Sequence, residues 1–322
     1  MTDRPELSVV IPAFNEEPNI GPMYDRLVKA LESKIDGLEI VFVDDGSKDA
    51  TWECIANLAG EDRRVKGLRF ARNFGHQAAV TAGVDVASGK AIVLIDADMQ
   101  DPPEVIPEMI QRWREGFEVV YGKRIAREGE TFFKRTSAAL FYRILRRITD
   151  VDIPADAGDF RLMGPRAVEA FRALPERNRF IRGLVSWIGF PQIAVSYHRE
   201  ARHAGETKYP IRKMMRFAVD AVTSFSFLPL RMATVLGFIV SGSSFLYILL
   251  VSVLKVVGVM RFGHTWLMAS ILFLGGVQLV MIGVLGEYLA RVFDEVKRRP
   301  LYLVGESTDG KTGVVPPQRP NL

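Results

Sequence analysis

Residues 7–17 read LSVVIPAFNEE, an apolar run rich in β-branched residues that ends in a polar turn. The same pattern recurs as LEIVFVDDGSKD at residues 38–49 and as AIVLIDADMQD at residues 91–101. Short apolar runs of this kind are typical of strands that are buried on both faces of a parallel sheet. Further runs and intervening helical patterns complete the alternation, with strands at residues 65–70 and 118–121 and helices at 20–31, 51–58, 77–86 and 103–114. The sequence therefore predicts an α/β fold with a mostly parallel sheet and helices on both faces.

Composition excludes several classes of protein. Of the 322 residues, 25% are charged and 48% are hydrophobic, which is neither a disordered nor a collagen-like composition. The single cysteine, Cys54, excludes an intrachain disulfide framework and a cysteine-rich zinc site. The net charge is +4 and the pI is about 9.1, which could indicate nucleic acid. Because the basic residues gather beside apolar segments instead, we expect no nucleic-acid partner.

Two apolar stretches without a charged residue lie at residues 232–254 and 265–286. As a helix, each is long enough to cross a hydrocarbon layer of ~30 Å. The alternative is a buried helical hairpin in a soluble core. Basic residues are frequent before the first stretch and after the second, whereas the connecting loop has only Lys255 and Arg261. The positive-inside rule then predicts that the N-terminal region and the C-terminal tail are both cytoplasmic.

Carboxylates and turn residues crowd the loops that follow three of the predicted strands, at residues 14–17, 44–49 and 96–101. The carboxyl ends of parallel strands meet at one edge of a sheet, where ligands bind. Helix capping or turn chemistry would explain any one of these loops alone. Three together repel one another unless a cation joins them, and a hard divalent ion prefers oxygen ligands. We therefore expect a divalent metal ion, Mg²⁺ or Mn²⁺, that grips a diphosphate.

Nucleotide-binding motifs of other classes are absent from the sequence. There is no Gly-x-x-x-x-Gly-Lys-Ser/Thr motif and no Gly-x-Gly-x-x-Gly after the first strand. The motifs at residues 9–17, 43–47 and 96–103 together resemble those of GT-A glycosyltransferases of family 2. Within that family, the chain is similar to the bactoprenol glucosyltransferases and the dolichol-phosphate mannose synthases. The resemblance implies the GT-A fold, a Rossmann-like sheet, followed by a two-helix membrane anchor.

The resemblance also implies roles for individual residues. The nucleotide-sugar site would comprise Pro12, Phe14, Glu16, Asp45, Gln77 and Asp96, and the metal ligands would be Asp96, Asp98 and Gln100. Asp159 and Asp98 would be catalytic, and whether Asp159 acts as a base or as an orienting group stays open. Basic residues supply what a lipid phosphate requires, and the candidates are Lys123, Arg124, Arg135, Arg202 and Lys208.

These features predict four parts. They are a cytoplasmic catalytic domain at residues 1–210, an amphipathic juxtamembrane helix at 211–230, a transmembrane hairpin at 231–290 and a cytoplasmic tail at 291–322. The pattern at 211–227 is typical of a helix on a membrane surface and equally of an ordinary packing helix. Small residues spaced as Gly237 and Ser241 favour close helix contact in lipid, so we expect a homo-oligomer, a dimer or tetramer.

The expected function is transfer of a hexose, glucose from UDP-glucose, to a polyprenyl phosphate such as undecaprenyl phosphate. It would occur at the cytoplasmic face of a bacterial-type inner membrane, with a multi-pass anchor and with inversion at the anomeric carbon. Two alternatives remain. One is the same chemistry with a different donor, such as GDP-mannose or a UDP-aminoarabinose; the other is a non-catalytic membrane protein that binds nucleotide sugars.

Overall fold

A computed structural model describes residues 4–125, 157–177, 179–199, 228–257 and 264–310. The chain forms two compact units. Of the described residues, one unit comprises those before residue 200 and those from Arg299 onward, and the other comprises residues 228–257 and 264–298. Several predictions lie outside the described residues: those for Arg135, Arg202 and Lys208 and most of the predicted helix at 211–230.

The first unit is built on an eight-stranded sheet. Its strands are β1 (Leu7–Ala13), β2 (Leu38–Asp44), β3 (Val65–Phe70), β4 (Ala91–Leu94), β5 (Val119–Arg124), β6 (Ala157–Met163), β7 (Gln192–Tyr197) and β8 (Val304–Ser307). Their spatial order is β7-β5-β6-β4-β1-β2-β3-β8. Strand β1 pairs in parallel with β2 and β4, and the pairs β2–β3 and β5–β7 are also parallel. Strand β6 is antiparallel to both of its neighbours, and β8 is antiparallel to β3.

Helices cover this sheet. They are α1 (Glu17–Leu31), α2 (Thr51–Glu61), α3 (His76–Val86), α4 (Ile106–Arg114), α5 (Pro165–Ala173) and α6 (Ile181–Trp187), with a short 3₁₀ helix at Pro103–Val105. Helix α3 packs so closely on β1 that residue 83 has no room for a side chain: a Cβ at Gly83 would lie 2.2 Å from Cγ1 of Val10. This close approach sets the position of the first turn of α3, which enters the candidate site described below.

The fold class predicted from the sequence is confirmed. The five predicted strands and four predicted helices are present with bounds that differ by a few residues. Strands β6, β7 and β8 had no counterpart in the sequence patterns, and β6 and β8 supply the antiparallel pairs that make the sheet mixed. The mixed sheet with helices on both faces fits the GT-A arrangement that the family resemblance implies.

The second unit contains two long helices, α7 (Leu228–Val256) and α8 (His264–Lys297). Both are long and apolar enough to cross a membrane by length and composition, in the windows Leu230–Tyr247 and Phe273–Lys297. Many of the large apolar side chains described on these helices are exposed, including Phe238 at 76% of its surface. An exposed apolar surface of this extent is costly in water and suits lipid. The two apolar stretches identified in the sequence lie within these helices.

Candidate active site

The carboxyl ends of β1, β2 and β4 meet at one edge of the sheet, and β6 brings a further carboxylate there. Because β6 is antiparallel to β4, with Leu94 opposite Arg161, residues that follow β4 approach residues that precede Arg161. Asp96 and Asp159 are therefore close, and the Nε2 atom of His76 lies 3.8 Å from Oδ1 of Asp96 and 3.3 Å from Oδ2 of Asp159. The sheet register thus assembles a site from residues that are far apart in sequence.

Asp45 fixes the loop that precedes helix α3. Its buried carboxylate accepts backbone N–H groups from Phe74 at 2.6 Å and from Gly75 at 2.9 Å. Burial raises the pKa of Asp45 above its usual value, although these two hydrogen bonds oppose the rise. Gly75 has φ of 101°, in the region that favours glycine, and it directs the chain into the first turn of α3. Asp45 therefore positions residues 74–76 beside the site.

The loop after β1 lies beside the loop after β2. The backbone N–H of Glu16 donates to Oγ1 of Thr51 at 2.9 Å, and its carboxylate accepts from Nδ2 of Asn19 at 2.5 Å. Pro12 lies within β1, opposite Val43 of β2. The ring of Phe14 is 43% exposed, which is unusual for a phenylalanine beside a strand end. The loop thus offers an uncovered aromatic face next to a fixed carboxylate.

Asp96, Asp98 and Gln100 follow β4. The side chains of Asp98 and Gln100 are buried, and Oδ1 of Asp98 accepts the backbone N–H of Gln100 at 3.1 Å. Burial raises the pKa of Asp96 to about 6; nearby carboxylates add to the rise, and His76 opposes it. No group of three or more His, Cys, Asp or Glu side chains forms a metal cage within the described residues. Asp96, Asp98 and Gln100 offer side-chain oxygen atoms, which suit a hard divalent ion provided that a bound diphosphate supplies the remaining contacts.

Asp159 is the most constrained carboxylate of the site. Its Oδ1 accepts from Nε of Arg182 at 2.8 Å, and its Oδ2 lies 3.3 Å from His76. Burial opposes ionisation, but the His76 contact and the Arg182 charge hold the pKa of Asp159 well below its usual value. Burial and the Arg182 charge lower the pKa of His76, but the contact with Asp159 and the charge of Asp96 outweigh them and raise it to about 9, so the imidazolium persists at neutral pH. Asp159 is therefore a fixed anion.

Arg161 holds the backbone on which Asp159 stands. It is 3% exposed, and its Nη2 donates to the carbonyl of Gly158 at 2.9 Å. Burial lowers the pKa of Arg161 to about 10, so the guanidinium is still charged at neutral pH. Its role in the structure is to fix the backbone beside Asp159.

Gln77 has a structural contact that the sequence did not indicate. Its Oε1 accepts the backbone N–H of Ile181 at 2.9 Å, at the start of helix α6. Helix α6 carries Arg182, the partner of Asp159. Gln77 therefore ties α3 to α6 and helps to aim Arg182.

Of the predicted phosphate-binding residues, Lys123 and Arg124 lie in β5, next to β6. The Nη2 atom of Arg124 lies 3.7 Å from Oδ1 of Asp101, and its Nε donates to the Tyr197 hydroxyl at 3.2 Å. That hydroxyl in turn donates to the fully buried Asp101. Arg124 is also close to Gly158, where a Cβ would lie 2.6 Å from its Nη2. A guanidinium is thus held one residue from Asp159.

The structure adds His76, Arg182 and Tyr197 to the residues expected from sequence. His76 follows directly after the Asn-Phe-Gly run at residues 73–75, but no metal-ligand spacing marks it. Arg182 lies 23 residues from Asp159, and Tyr197 lies 96 residues from Asp101. Pairs at such separations leave no local pattern, so only the fold reveals them.

Comparison with known proteins finds a matching family, similar sequences and solved structures of similar fold. Residues 8–171 match the family model for glycosyl transferase family 2. YkcC of Bacillus subtilis, an uncharacterized glycosyltransferase, is 49% identical over 303 residues, which covers 94% of each chain. The SfII prophage-derived bactoprenol glucosyl transferase of Shigella flexneri is 44% identical over 307 residues, which covers 95% of this chain and 99% of the relative. Glucosyl-3-phosphoglycerate synthase from Mycobacterium tuberculosis has a TM-score of 0.47 and 20% identity, over 69% of this chain and 78% of that structure.

The chain belongs to glycosyl transferase family 2. The family resemblance drawn from the motifs is therefore confirmed, and the protein is a glycosyltransferase. The carboxylate edge described above is its candidate active site.

The raised pKa of Asp96 predicts a pH dependence of cation binding. A cation that binds Asp96 would have to displace its proton, so apparent Mn²⁺ affinity should fall as pH drops through about 6. The His76 cation lowers the pKa of Asp96, so His76→Asn should move the midpoint to higher pH. Titration calorimetry with Mn²⁺ between pH 5 and 8 measures both midpoints. The matched control is His198→Asn at an exposed position, which should leave the midpoint unchanged; a midpoint that His76→Asn does not move would contradict the expectation.

Proposed function

We propose that this enzyme transfers glucose from UDP-glucose to a polyprenyl phosphate such as undecaprenyl phosphate, with inversion at the anomeric carbon. The observation that carries the proposal is the meeting of Asp159 with Asp96 at the strand edge, bridged by His76. It occurs in a chain that is 44% identical to a bactoprenol glucosyl transferase over nearly its full length. The sheet edge would supply the donor site, and the relative supports the choice of a lipid acceptor.

The donor would bind along the loops after β1, β2 and β4. Pro12, Phe14, Glu16 and Asp45 would surround the nucleoside; the exposed ring of Phe14 offers a face for stacking. Asp96, Asp98 and Gln100 would hold a divalent cation, Mg²⁺ or Mn²⁺, since their oxygens are the ligands such ions prefer. When bound, that ion offsets the charge of the diphosphate as it leaves.

Asp159 would orient the reacting groups and not remove a proton. A carboxylate with a lowered pKa is a weak base, whereas Arg182 and His76 keep its position fixed. A phosphate monoester is already largely ionised near neutral pH, so it needs positioning more than deprotonation. Lys123 and Arg124 would attract the lipid phosphate, whose oxygen then attacks the anomeric carbon on the face opposite the departing diphosphate.

The protein would lie in the inner membrane with the active site in the cytoplasm. Strand β8 follows α8 in the chain, yet it pairs with β3 of the main sheet. The chain segments before α7 and after α8 must therefore lie on the same side of any membrane, so an even number of crossings separates them. This supports a two-span hairpin, and the basic residues that flank it favour the cytoplasmic side. The exposed apolar faces of α7 and α8 also leave room for a homo-oligomer in lipid.

Lipid-linked sugar formation tests the proposed function. The full chain in vesicles that contain undecaprenyl phosphate should convert labelled UDP-glucose into a labelled lipid and free UDP. A panel with GDP-mannose and other UDP-sugars in place of UDP-glucose identifies the donor. Asp98→Asn should lower the rate of sugar transfer by about 10²-fold or more. This is the loss expected when one group that stabilises the developing charge is removed.

The matched control for Asp98→Asn is Asp25→Asn on the exposed face of α1, which should transfer sugar at the wild-type rate. Excess chelator should stop the wild-type reaction, and added Mg²⁺ or Mn²⁺ should restore it. Release of UDP without any lipid product, or full activity in chelator, would contradict the proposal.

A second prediction separates binding from chemistry at Asp159. The nucleoside loops follow other strands, so Asp159→Asn should leave the Kd for UDP close to the wild-type value. The amide keeps the shape but loses the charge that Arg182 and His76 hold, so kcat should fall by about 10²–10⁴-fold. Calorimetry and product formation on the same purified variant give both values. Transfer within a few-fold of wild type would remove Asp159 from the reaction.

A further inference from the structure

The segment that follows the second long helix pairs with the catalytic sheet. Strand β8 pairs with β3, with Leu68 opposite Ser307 and Phe70 opposite Val304. Beyond the two ends of this pairing, the N–H of Ala71 donates to the carbonyl of Leu303 at 2.9 Å, and the N–H of Thr308 donates to that of Gly67 at 3.0 Å. The hydrogen bonds between the two segments therefore continue to Ala71, directly after the end of β3 and on the side of the candidate active site.

Side chains continue this contact toward the active site. Tyr302 is 4% exposed, and its ring stacks on Phe70 with centroids 5.1 Å apart and planes at 14°. Phe70 in turn meets the edge of Phe74 at 5.7 Å, and the Arg72 guanidinium covers Phe74 at 4.0 Å. The Tyr302 hydroxyl donates to Asp85 near the end of α3 at 3.0 Å. Tyr302 thus contacts both the strand that precedes the loop and the helix that follows it.

A second set of contacts fixes β8 on the opposite side of the strand. The Oε2 atom of Glu306 accepts from Nε1 of Trp52 in α2 at 3.0 Å, and its Oε1 pairs with Arg69 at 3.0 Å. Arg69 also lies 3.5 Å from Asp44, which directly precedes Asp45. The segment therefore has contacts with β3, α2 and α3, so it is a packed part of the catalytic unit and not an exposed tail.

The loop that this segment supports is the one that Asp45 holds from the other side. Asp45 accepts the N–H groups of Phe74 and Gly75, and the next residue, His76, contacts Asp159. The loop is also crowded where it passes Gly46, since a Cβ there would lie 2.6 Å from the carbonyl carbon of Arg72. Its position thus depends on two supports, one from β2 and one from the C-terminal segment.

We propose that residues 302–308 are a positioning segment of the donor site, which holds the loop at residues 71–76 in the geometry that binds the nucleotide. The inference rests on the proposed nucleotide site at this edge. The donor site is then built from chain on both sides of the helical hairpin, and the domain that precedes α7 lacks one of its supports.

The test uses the full chain with Tyr302→Ala, which removes the stacked ring and its hydroxyl. The Kd for UDP should rise about tenfold, the size expected for losing one aromatic pair. Hydrogen exchange at residues 71–76 should speed up while exchange in β1 and β4 stays slow. The KM for the nucleotide sugar should rise without a change in the KM for polyprenyl phosphate, a difference that general destabilisation would not produce.

Two controls belong to this experiment. Tyr302→Phe keeps the ring and should restore UDP affinity to near the wild-type value, whereas Asp309→Ala changes an exposed residue directly after the segment and should have no effect. If Tyr302→Ala fails to fold, Tyr302→Leu fills the core without an aromatic face and should show the same loss.

Unchanged UDP affinity and unchanged exchange at residues 71–76 in a folded variant would overturn the proposal. If the wild type itself does not bind UDP, the donor assignment fails. Hydrogen exchange without nucleotide still decides whether the segment holds the loop, so the two failures are distinguishable.

Discussion

Crowding of carboxylates at one edge of the sheet is the constraint on which the rest of the structure depends. An unpaired charge in such a site is costly, so each carboxylate needs a counter-group. Asp45 has two backbone N–H groups, Asp101 has Tyr197 and Arg124, and Asp159 has Arg182 and His76. Burial and the neighbouring carboxylates raise the pKa of Asp96 to about 6. The counter-groups come from α3, α6, β5 and β7, so the positions of these elements and the chemistry of the site are set together.

The sequence predicted the parts of the fold whose signal is local. Strands β1, β2 and β4 are largely apolar runs that end in polar turns, and the turns after β2 and β4 located Asp45, Asp96 and Asp98. Strand β6 was not predicted, because Gly158, Asp159 and Arg161 give it the composition of a polar loop. It forms because β4 and β5 pair with it on either side, and tertiary pairing outweighs local propensity. The contacts of His76 and Arg182 with Asp159 were not predicted for a related reason, since the three residues lie on elements that are distant in sequence.

Strand β8 likewise has no local sequence signal, and its pairing bears on the candidate active site. Its four residues, Val304–Ser307, carry no apolar alternation, and they follow two helices that are long enough to cross a membrane. Their pairing with β3 returns the chain to the sheet, where the neighbouring Tyr302 stacks on Phe70, and Phe70 contacts Phe74 in the loop that leads to His76. A short strand thus connects the two long apolar helices, along the chain, to the sheet that carries the proposed donor site.

In the mechanism proposed above, the carboxylate edge holds a divalent cation together with a nucleotide diphosphate. Anomalous X-ray scattering from crystals of the full chain grown with Mn²⁺ and UDP tests this arrangement. We expect one strong Mn²⁺ peak in contact with the side chains of Asp96 or Asp98 and with the diphosphate oxygens. UDP bound at this edge without a Mn²⁺ peak, or a peak remote from both carboxylates, would contradict it.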